Sequence, residues 1–223
     1  MIRVGTCGWG FLQPRKLGID AYTSTLNAYA QIFDSVEVNH TFYRIPKEDT
    51  AKRWRTEVPE NFTFTVKAYR GITHEKHFEN CEEYTENVLN IAKILKAPIV
   101  LFQTPKSFKQ TKDNERKVID FLSTLPKSFR YALELRGWQW KTTFADWIWV
   151  VDPFAQQPPS QEEHYLRLHG QPPGNRMYHY KYTDDDLNWL ANFVKNLEKE
   201  GNVWVFFNNV WMYENALRFK SII

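Results

Sequence analysis

The chain has 223 residues, a formal net charge of +3 at pH 7 and a sequence pI of about 8.7. This length suits one domain with a sizeable core and is slightly short of the roughly 250 residues of a full eight-unit barrel. The charge is too small to require a nucleic-acid partner, for which a clustered basic stripe is typical, but it is compatible with small anions. No apolar run approaches the roughly 20 residues that cross a bilayer, so we expect no membrane association.

Only two cysteines, Cys7 and Cys81, are present, and they lie far apart in the sequence. This pattern indicates neither a disulfide framework nor a thiolate metal site, and it fits a reducing compartment. The sequence starts directly with a strand-like apolar run rather than with a signal peptide. We therefore expect an unprocessed, cytoplasmic protein.

Short apolar runs alternate with segments of helical periodicity, which is typical of β–α units rather than of a sandwich. The runs predict strands at residues 2–5, 35–39, 62–67, 98–103, 130–136, 146–151, 164–169 and 202–208. The periodic segments predict helices at residues 20–33, 48–57, 82–95, 113–124, 184–199 and 212–221. The pattern predicts an α/β fold, a TIM-type barrel, with residues 1–223 as a single domain.

Two connections of this barrel are unsuited to a full helix. Residues 137–145 are fewer than the dozen or more that a helical crossover needs, and three prolines interrupt residues 153–163. We therefore expect an irregular barrel whose helices are shortened or missing around strands 5 to 7. Trp147 and Trp149 would then face outward and need cover from these segments or from a second subunit, so association near them is an open alternative.

Six of the predicted strands end on polar or ionisable residues. Because side chains alternate along a strand, Glu134 and Arg136 share one face, as do Arg167 and His169. In a parallel barrel, functional groups gather at the carboxyl rim of the strands. The pattern therefore indicates a ligand site at this rim.

Longer motifs surround several of these strand ends. They are Gly5-Thr6-Cys7-Gly8-Trp9, Val36-Glu37-Val38-Asn39-His40-Thr41-Phe42-Tyr43, Val66-Lys67-Ala68-Tyr69-Arg70-Gly71-Ile72-Thr73-His74 and Leu166-Arg167-Leu168-His169-Gly170. With them, nearly the whole chain resembles the YecE-like family, also called domain of unknown function 72. The resemblance implies an irregular TIM-type barrel and supplies no substrate, because the family's biochemical activity is unassigned.

The chain also departs from the family pattern. Where the family usually has Arg-His-x-Ser-Trp after the fifth strand, this chain has Arg136-Gly137-Trp138-Gln139-Trp140. The histidine is therefore replaced by Gly137, whereas Arg136 and Trp140 match. Cys7 stands where the first motif usually has serine.

Four cations at the strand ends favour an anionic ligand, because the planar fork of arginine binds phosphate or carboxylate through two hydrogen bonds. These cations are Lys67, Arg70, Arg136 and Arg167. The alternative is a structural ion-pair network with the neighbouring carboxylates. The predicted substrate-binding residues are Glu37, Asn39, Tyr43, Arg70, Gln103, Arg136, Trp140, Asp152, Arg167, Asn208 and Asn209.

Lys67, Glu134 and His169 are the predicted catalytic residues. Glu134 and His169 would transfer protons, and Lys67 would stabilise developing negative charge. Two alternatives stay open for Lys67, which could form an imine or simply hold the site together beside Glu134. The alternative for His169 is a hydrogen-bonded rim histidine without a catalytic role.

Other chemistry has weaker support in the sequence. His74 and His77, with Glu75 and Glu79, could bind a metal or could be solvated loop residues. We predict no metal ligands but leave a metal open, and Cys7 is either a nucleophile or a packed side chain. No glycine-rich nucleotide motif is present, so no nucleotide cofactor is expected and the cofactor is unknown.

Six aromatic residues fall in or near the rim loops, where rings could stack on a base or sugar. They are Trp9, Phe42, Tyr43, Tyr69, Trp138 and Trp140. The leading interpretation is an enzyme, a hydrolase, lyase or isomerase, that acts on a small or exposed anionic substrate by acid–base chemistry at the rim. The alternatives are a nucleic-acid-associated protein that binds phosphodiester backbone and a module that senses a metabolite.

Overall fold

The computed structural model describes residues 1–138, 144, 146–171 and 177–223. Its internal contacts group the chain into two compact units, each built from separate stretches of sequence. Unit 1 comprises Met1–Glu37, Thr56–Thr63 and Trp149–Ile223, and unit 2 comprises Val38–Arg55 and Phe64–Ile148. The interpretation of residues 1–223 as one domain stays a prediction.

Eight strands are present in the described residues, as the apolar runs predicted, and helices lie between most consecutive strands. The strands are β1 (Ile2–Thr6), β2 (Ser35–Val38), β3 (Thr63–Lys67), β4 (Ile99–Gln103), β5 (Arg130–Glu134), β6 (Ile148–Val151), β7 (Glu163–Leu168) and β8 (Asn202–Phe207). Each predicted strand is present, with ends within about two residues of the prediction. Most strand residues are buried, as expected for parallel strands covered on both faces.

Seven α-helices are present in the described part of the chain. They are α1 (Thr25–Tyr29), α2 (His40–Tyr43), α3 (Glu48–Thr56), α4 (Glu82–Ile94), α5 (Lys112–Thr124), α6 (Asp184–Glu198) and α7 (Met212–Lys220). The prediction of a helix over residues 20–33 was wrong in extent. The Ser24 hydroxyl accepts a hydrogen bond from the backbone N–H of Asn27 at 3.0 Å, which caps α1 and starts it only at Thr25.

Three shorter helical turns complete the described chain. They are the 3₁₀ helices Pro14–Leu17 and Met177–His179 and the π-helix Gly71–Glu75. Segments of this length are too short to show helical periodicity, so the sequence did not predict them. Residues 153–163 contain no helix, which confirms the prediction made from their prolines.

Parallel pairing orders the strands within each unit. In unit 1 the order is β1, β8, β7, β6, and in unit 2 it is β3, β4, β5. Lys67 is in register with Leu101, and Gln103 is in register with Glu134. Because residues in register point to the same side and alternate residues share a face, Lys67, Gln103 and Glu134 lie on one face of the unit 2 strands.

Both tryptophans of the sixth strand region are buried, with exposures of 8% for Trp147 and 3% for Trp149. The ring of Trp147 stacks on Tyr131 with centroids 5.4 Å apart. The side chain of Gln161 bonds both backbone groups of Trp149, at 3.0 Å to the nitrogen and 3.2 Å to the oxygen. The prediction that these indoles are covered is confirmed, and Gln161 belongs to the proline-rich segment that was expected to cover them.

No helix in the described ranges combines the length and apolar character that a bilayer-spanning segment requires.

A buried histidine on β7 should make the protein sensitive to acid. His164 has 0% exposure, neither ring nitrogen has a hydrogen-bond partner among the described residues, and its Nε2 lies 3.9 Å from Oε2 of Glu200. Burial lowers the pKa of His164, and the charge of Glu200 opposes this shift only in part. As the pH falls, the unfolded chain therefore binds this proton at a higher pH than the folded protein does. The free energy of unfolding is not reduced by His164 above about pH 6.5, and it decreases as the pH falls below this value.

We expect His164→Phe to reduce the loss of unfolding free energy between pH 7.5 and pH 5, because phenylalanine is similar in size and takes up no proton. Urea unfolding at both pH values measures this loss. His179→Phe, at an exposed position, is the control. A loss in His164→Phe as large as in the wild type would contradict the prediction.

Candidate functional site

A carboxylate and a guanidinium form a buried pair in unit 1. Arg167 donates from Nε to Oε2 of Glu37 at 2.9 Å and from Nη2 to Oε1 at 2.8 Å. The hydroxyl of Tyr165 donates to the same Oε2 at 2.8 Å, and Nη2 of Arg167 lies 3.7 Å from Sγ of Cys7. The side-chain exposures of Arg167 and Glu37 are 1% and 0%. The two charges compensate each other inside unit 1, which is the ion-pair alternative of the sequence analysis.

Asp152 joins the ends of β6 and β7. Its Oδ2 accepts a hydrogen bond from the backbone N–H of His169 at 2.8 Å, and its Oδ1 accepts one from the backbone N–H of Phe154 at 3.1 Å. Each carboxylate oxygen therefore binds a main-chain amide. These bonds give Asp152 a structural role at the strand end where a substrate contact was predicted.

His169 is held by a side-chain amide in unit 1. Its Nδ1 lies 3.0 Å from Nδ2 of Asn208, and its ring makes an edge contact with Tyr178 at 5.6 Å between centroids. Because an amide nitrogen only donates, Nδ1 accepts, and the neutral ring carries its proton on Nε2. A fixed tautomer suits both proton transfer and a purely structural histidine, so the catalytic role of His169 stays a prediction.

Asn209, the next predicted ligand residue, holds two segments of unit 1 together. Its Nδ2 donates to the backbone oxygen of Tyr180 at 2.7 Å and to Oδ1 of Asn215 at 2.9 Å. The residue is 6% exposed. Its contacts fix the chain after β8 against α7 and the segment before α6.

In unit 2, the predicted catalytic lysine contacts an aromatic ring. Lys67 is 7% exposed, and its Nζ lies 3.9 Å from the centroid of the Phe42 ring. Such a cation–π contact is an electrostatic attraction between the ammonium and the face of the ring. The hydroxyl of Thr41 also donates to the backbone oxygen of Lys67 at 2.6 Å, which fixes the end of β3 against α2.

Glu134 and Arg136 interact at the end of β5. The distance between Oε1 of Glu134 and Nε of Arg136 is 3.4 Å, and their side chains are 9% and 17% exposed. Gln103 lies in register with Glu134 and is 8% exposed. Glu134, Gln103 and Lys67 are thus buried polar residues on one face, as the alternation of side chains predicted, and Arg136 is partly buried.

Positive charge concentrates around His74 in unit 2. Burial, followed by the charges of Lys67, Arg70, His77 and Arg136, lowers the pKa of His74 to about 4. These groups come from the end of β3, the π-helical segment and the end of β5. We call Lys67, Arg70, His74 and Arg136 the cationic cluster.

Arg70 has a carboxylate partner within its own segment. Its Nε lies 3.0 Å from Oε1 of Glu75, and both side chains are about half exposed, at 49% and 47%. A solvent-exposed pair of this kind contributes about 1 kcal/mol or less to stability. The guanidinium can therefore exchange this partner for a ligand at little cost.

The segment next to the cluster has an unusual backbone. Gly71–Glu75 is a π-helix, and His77, Phe78 and Asn80 have φ values of 48°, 69° and 49°. Left-handed conformations of residues other than glycine are uncommon, and for a bulky residue such as Phe78 they indicate strain. Both features occur often at functional sites. No feature of the sequence predicted this geometry.

Two of the remaining predicted residues of unit 2, Asn39 and Tyr43, lie at the two ends of α2. Asn39 immediately precedes α2 and is partly buried, and Tyr43, at its end, is 71% exposed. Trp138 is buried and stacks on Phe108 at 6.2 Å between ring centroids. Trp140 lies outside the described residues.

No group of three or more His, Cys, Asp or Glu side chains is placed to hold a metal ion in the described ranges. This applies to the loop of His74, Glu75, His77 and Glu79, for which the sequence left a metal open. Cys7 and Cys81 are both free and buried.

Gly137, which replaces the usual family histidine, is packed against backbone. A Cβ atom there would lie 2.4 Å from the carbonyl oxygen of Phe108 and 2.7 Å from that of Lys106. Moving the carbonyl oxygens of a packed loop costs free energy. The loop therefore occupies the space that the Cβ atom of a histidine at position 137 would need. The loop after β4 can therefore take this position only because residue 137 is glycine.

We expect Gly137→Ala to destabilise the protein by about 1–3 kcal/mol, because the added methyl group overlaps main-chain atoms. Denaturant unfolding measures the change. Gly10→Ala is the matched control, since a Cβ at that position meets nothing within 4 Å. A Gly137→Ala protein as stable as this control would contradict the prediction, because it would show that the loop moves aside without a loss of stability.

The alternation of β and α elements, with polar residues at the carboxyl ends of buried parallel strands, defines an α/β protein of the TIM-barrel type. A solved fusion protein described as xylose isomerase-like TIM barrel/4-hydroxyphenylpyruvate dioxygenase matches 98% of this chain and 41% of its own, with a TM-score of 0.56 and 11% identity. At this identity the likeness shows the fold alone. The predicted fold class is confirmed.

The chain belongs to the family described as protein of unknown function DUF72, whose profile matches residues 3–221. It is 26% identical to the UPF0759 protein YunF of Bacillus subtilis over 94% of this chain and 89% of that protein. It is 30% identical to the UPF0759 protein YecE of Escherichia coli over 61% of this chain and 48% of that protein. The predicted resemblance to the YecE-like family is confirmed.

A solved DUF72 family protein from Enterococcus faecalis has a similar structure. It is 23% identical to this chain, with a TM-score of 0.76, and the match covers 100% of this chain and 95% of that one. At this identity it too shows the fold alone.

Proposed function

We propose that this protein is an enzyme that acts on a small or exposed anionic group, a phosphate or a carboxylate, by acid–base chemistry. We place the binding of this group at the cationic cluster of unit 2. In this proposal Arg70 and Arg136 bind the anion, Lys67 stabilises developing negative charge and Glu134 transfers a proton.

One observation carries the proposal: cations from three separate segments act on a single imidazole. The nearby carboxylates Glu75 and Glu134 each pair with an arginine, at 3.0 Å and 3.4 Å. Lys67, Arg70, His77 and Arg136 all help to lower the pKa of His74, so several groups that can carry positive charge lie near this imidazole. A partly buried site of net positive potential attracts and orients anions.

The position of Glu134 supports acid–base chemistry. It is in register with Gln103 and shares a face with Lys67, so a carboxylate, an amide and an ammonium belong to the same side of the strands. A carboxylate beside a cation stays ionised and can accept a proton, whereas the cation stabilises the anion that results. This combination suits proton removal from a substrate that carries its own negative charge.

Calorimetric titration with inorganic phosphate and with acetate tests the proposal. We expect one of these anions to bind the wild type, and Arg136→Gln to weaken binding roughly tenfold or more, as a lost hydrogen bond between charged groups does. Arg116→Gln is the matched control, because Arg116 is 59% exposed on α5 of the same unit. Absence of binding to the wild type, or equal affinity in Arg136→Gln, would overturn the proposal.

A nucleic-acid-binding role is the second candidate, and the exposure of Tyr43 favours it. Its ring is 71% exposed and contacts Phe42, whose own face carries the ammonium of Lys67. An exposed ring beside a cation suits stacking on a base next to a phosphate. Affinity for single-stranded DNA that falls steeply with salt and drops in Tyr43→Ala would favour this candidate. Tight binding of a metabolite without turnover would instead favour a sensing module.

A further inference from the structure

The side chain of His74 is fixed by a neighbouring hydroxyl. Its Nδ1 lies 2.8 Å from Oγ1 of Thr73, which is 1% exposed. A buried hydroxyl proton needs an acceptor, and Nδ1 of a neutral imidazole is an acceptor at this distance. The proton of the ring then resides on Nε2.

The other neighbours of the ring keep it in place. Phe42 makes an edge contact with His74 at 5.0 Å between centroids and an interplanar angle of 78°. The same Phe42 ring binds the ammonium of Lys67, so His74 and Lys67 share one aromatic support. The π-helical turn Gly71–Glu75, in which Lys76 donates to the backbone oxygen of Gly71 at 3.0 Å, carries the imidazole to this position.

We infer that His74 is the uncharged hydrogen-bond donor of the anion site, presenting Nε2–H to an oxygen of a bound phosphate or carboxylate group. The inference rests on the proposed function. It assigns a specificity role to a residue that the sequence considered only as a metal ligand or a solvated loop residue. An oxyanion bound here would meet two arginines, one lysine and one neutral donor.

Burial is the main reason why the donor stays neutral, and the surrounding charges add to its effect. Lys67 on β3, Arg136 after β5, and Arg70 and His77 on the segment of His74 itself all oppose its protonation, whereas Glu75 and Glu134 are engaged with arginines. A neutral imidazole adds a directional hydrogen bond without adding to the charge repulsion inside the cluster. It also leaves Nδ1 as an acceptor for Thr73, so the orientation of the ring is fixed before a ligand arrives.

Two variants of His74 distinguish the effect of the Nε2–H donor from the effect of the aromatic ring. His74→Phe keeps an aromatic ring against Phe42 but removes the Nε2–H group, and His74→Gln places an amide N–H near the same point. We expect His74→Phe to weaken binding of inorganic phosphate or acetate roughly tenfold or more, and His74→Gln to retain most of the affinity. His179→Phe, at an exposed position, is the matched control.

Nitrogen-15 spectroscopy of histidine-labelled full-length protein gives a second readout. At pH 7 we expect the His74 ring, identified by its absence in His74→Phe, to be neutral with its proton on Nε2. Added phosphate or acetate should shift the Nε2 resonance, and the response to each anion shows which oxyanion the site prefers. A charged ring at pH 7, or a neutral ring protonated on Nδ1, would overturn the inference.

The outcomes also separate this inference from the proposed function. If Arg136→Gln loses anion affinity and folded His74→Phe does not, the anion site stands and the role of His74 is wrong. If the wild type binds neither phosphate nor acetate, both are wrong.

Discussion

Replacing Glu37 by glutamine should destabilise the protein by about 3–5 kcal/mol, because it removes one partner of a buried ion pair. Arg167 would keep its charge at 1% side-chain exposure and would lose the carboxylate that receives two of its hydrogen bonds. Tyr165 would lose a charged acceptor at 2.8 Å. Urea unfolding at neutral pH measures the change.

A surface pair provides the control for Glu37→Gln. Lys181 and Glu214 form an ion pair at 2.6 Å with exposures of 49% and 53%, so Glu214→Gln should cost about 1 kcal/mol or less. The double variant Glu37→Gln with Arg167→Met should be less destabilised than the two single variants added together, since it leaves no uncompensated charge. A Glu37→Gln protein only as destabilised as Glu214→Gln would refute the buried-pair account.

Turnover should fall by about 10²–10⁴-fold in Glu134→Gln and in Lys67→Met, once an anionic substrate has been found by screening. Glutamine keeps the size of Glu134 but takes up no proton, and methionine keeps the length of Lys67 without its charge. Steady-state rates measure both effects. Circular dichroism and thermal unfolding establish that each variant is folded.

An exposed pair in the same unit controls for changes of charge alone. Glu48 and Lys52 lie 3.4 Å apart on α3 with both side chains 57% exposed. Glu48→Gln and Lys52→Met should therefore leave turnover within about twofold of the wild type, because such exposed pairs contribute little. Wild-type rates in folded Glu134→Gln or Lys67→Met would show that the substituted residue has no catalytic role.

The strands were predictable because each is a short apolar run bounded by polar residues. Val36 in β2 and Phe206 in β8 illustrate the signal, since β2 is buried throughout and β8 is buried after its first residue. The turns at His40–Tyr43 and Gly71–Glu75 were not predictable, because so few residues show no periodicity. The extent of α1 was misjudged because its cap, Ser24, lies within the apolar pattern.

For the candidate site, alternation along strands predicted which polar residues share a face but not which of them pair. Glu37 and Arg167 are 130 residues apart in sequence, and only folding makes them a buried pair. The ligand role of Asp152 stays a prediction, and alternation did not show that its oxygens accept backbone amides. The importance of His74 depends on charges from distant strands, whereas the sequence showed only its place at the end of a family motif and its closeness to His77, Glu75 and Glu79.

The central claim is that an oxyanion binds at Lys67, Arg136 and His74, and selenate provides the most direct measurement. Selenate resembles phosphate and sulfate in shape and charge, and its selenium gives an anomalous X-ray signal. Crystals grown without other oxyanions and soaked in selenate should show an anomalous peak within hydrogen-bond reach of these three side chains. An occupied selenate site elsewhere on the protein, with no peak at the cationic cluster, would contradict the account.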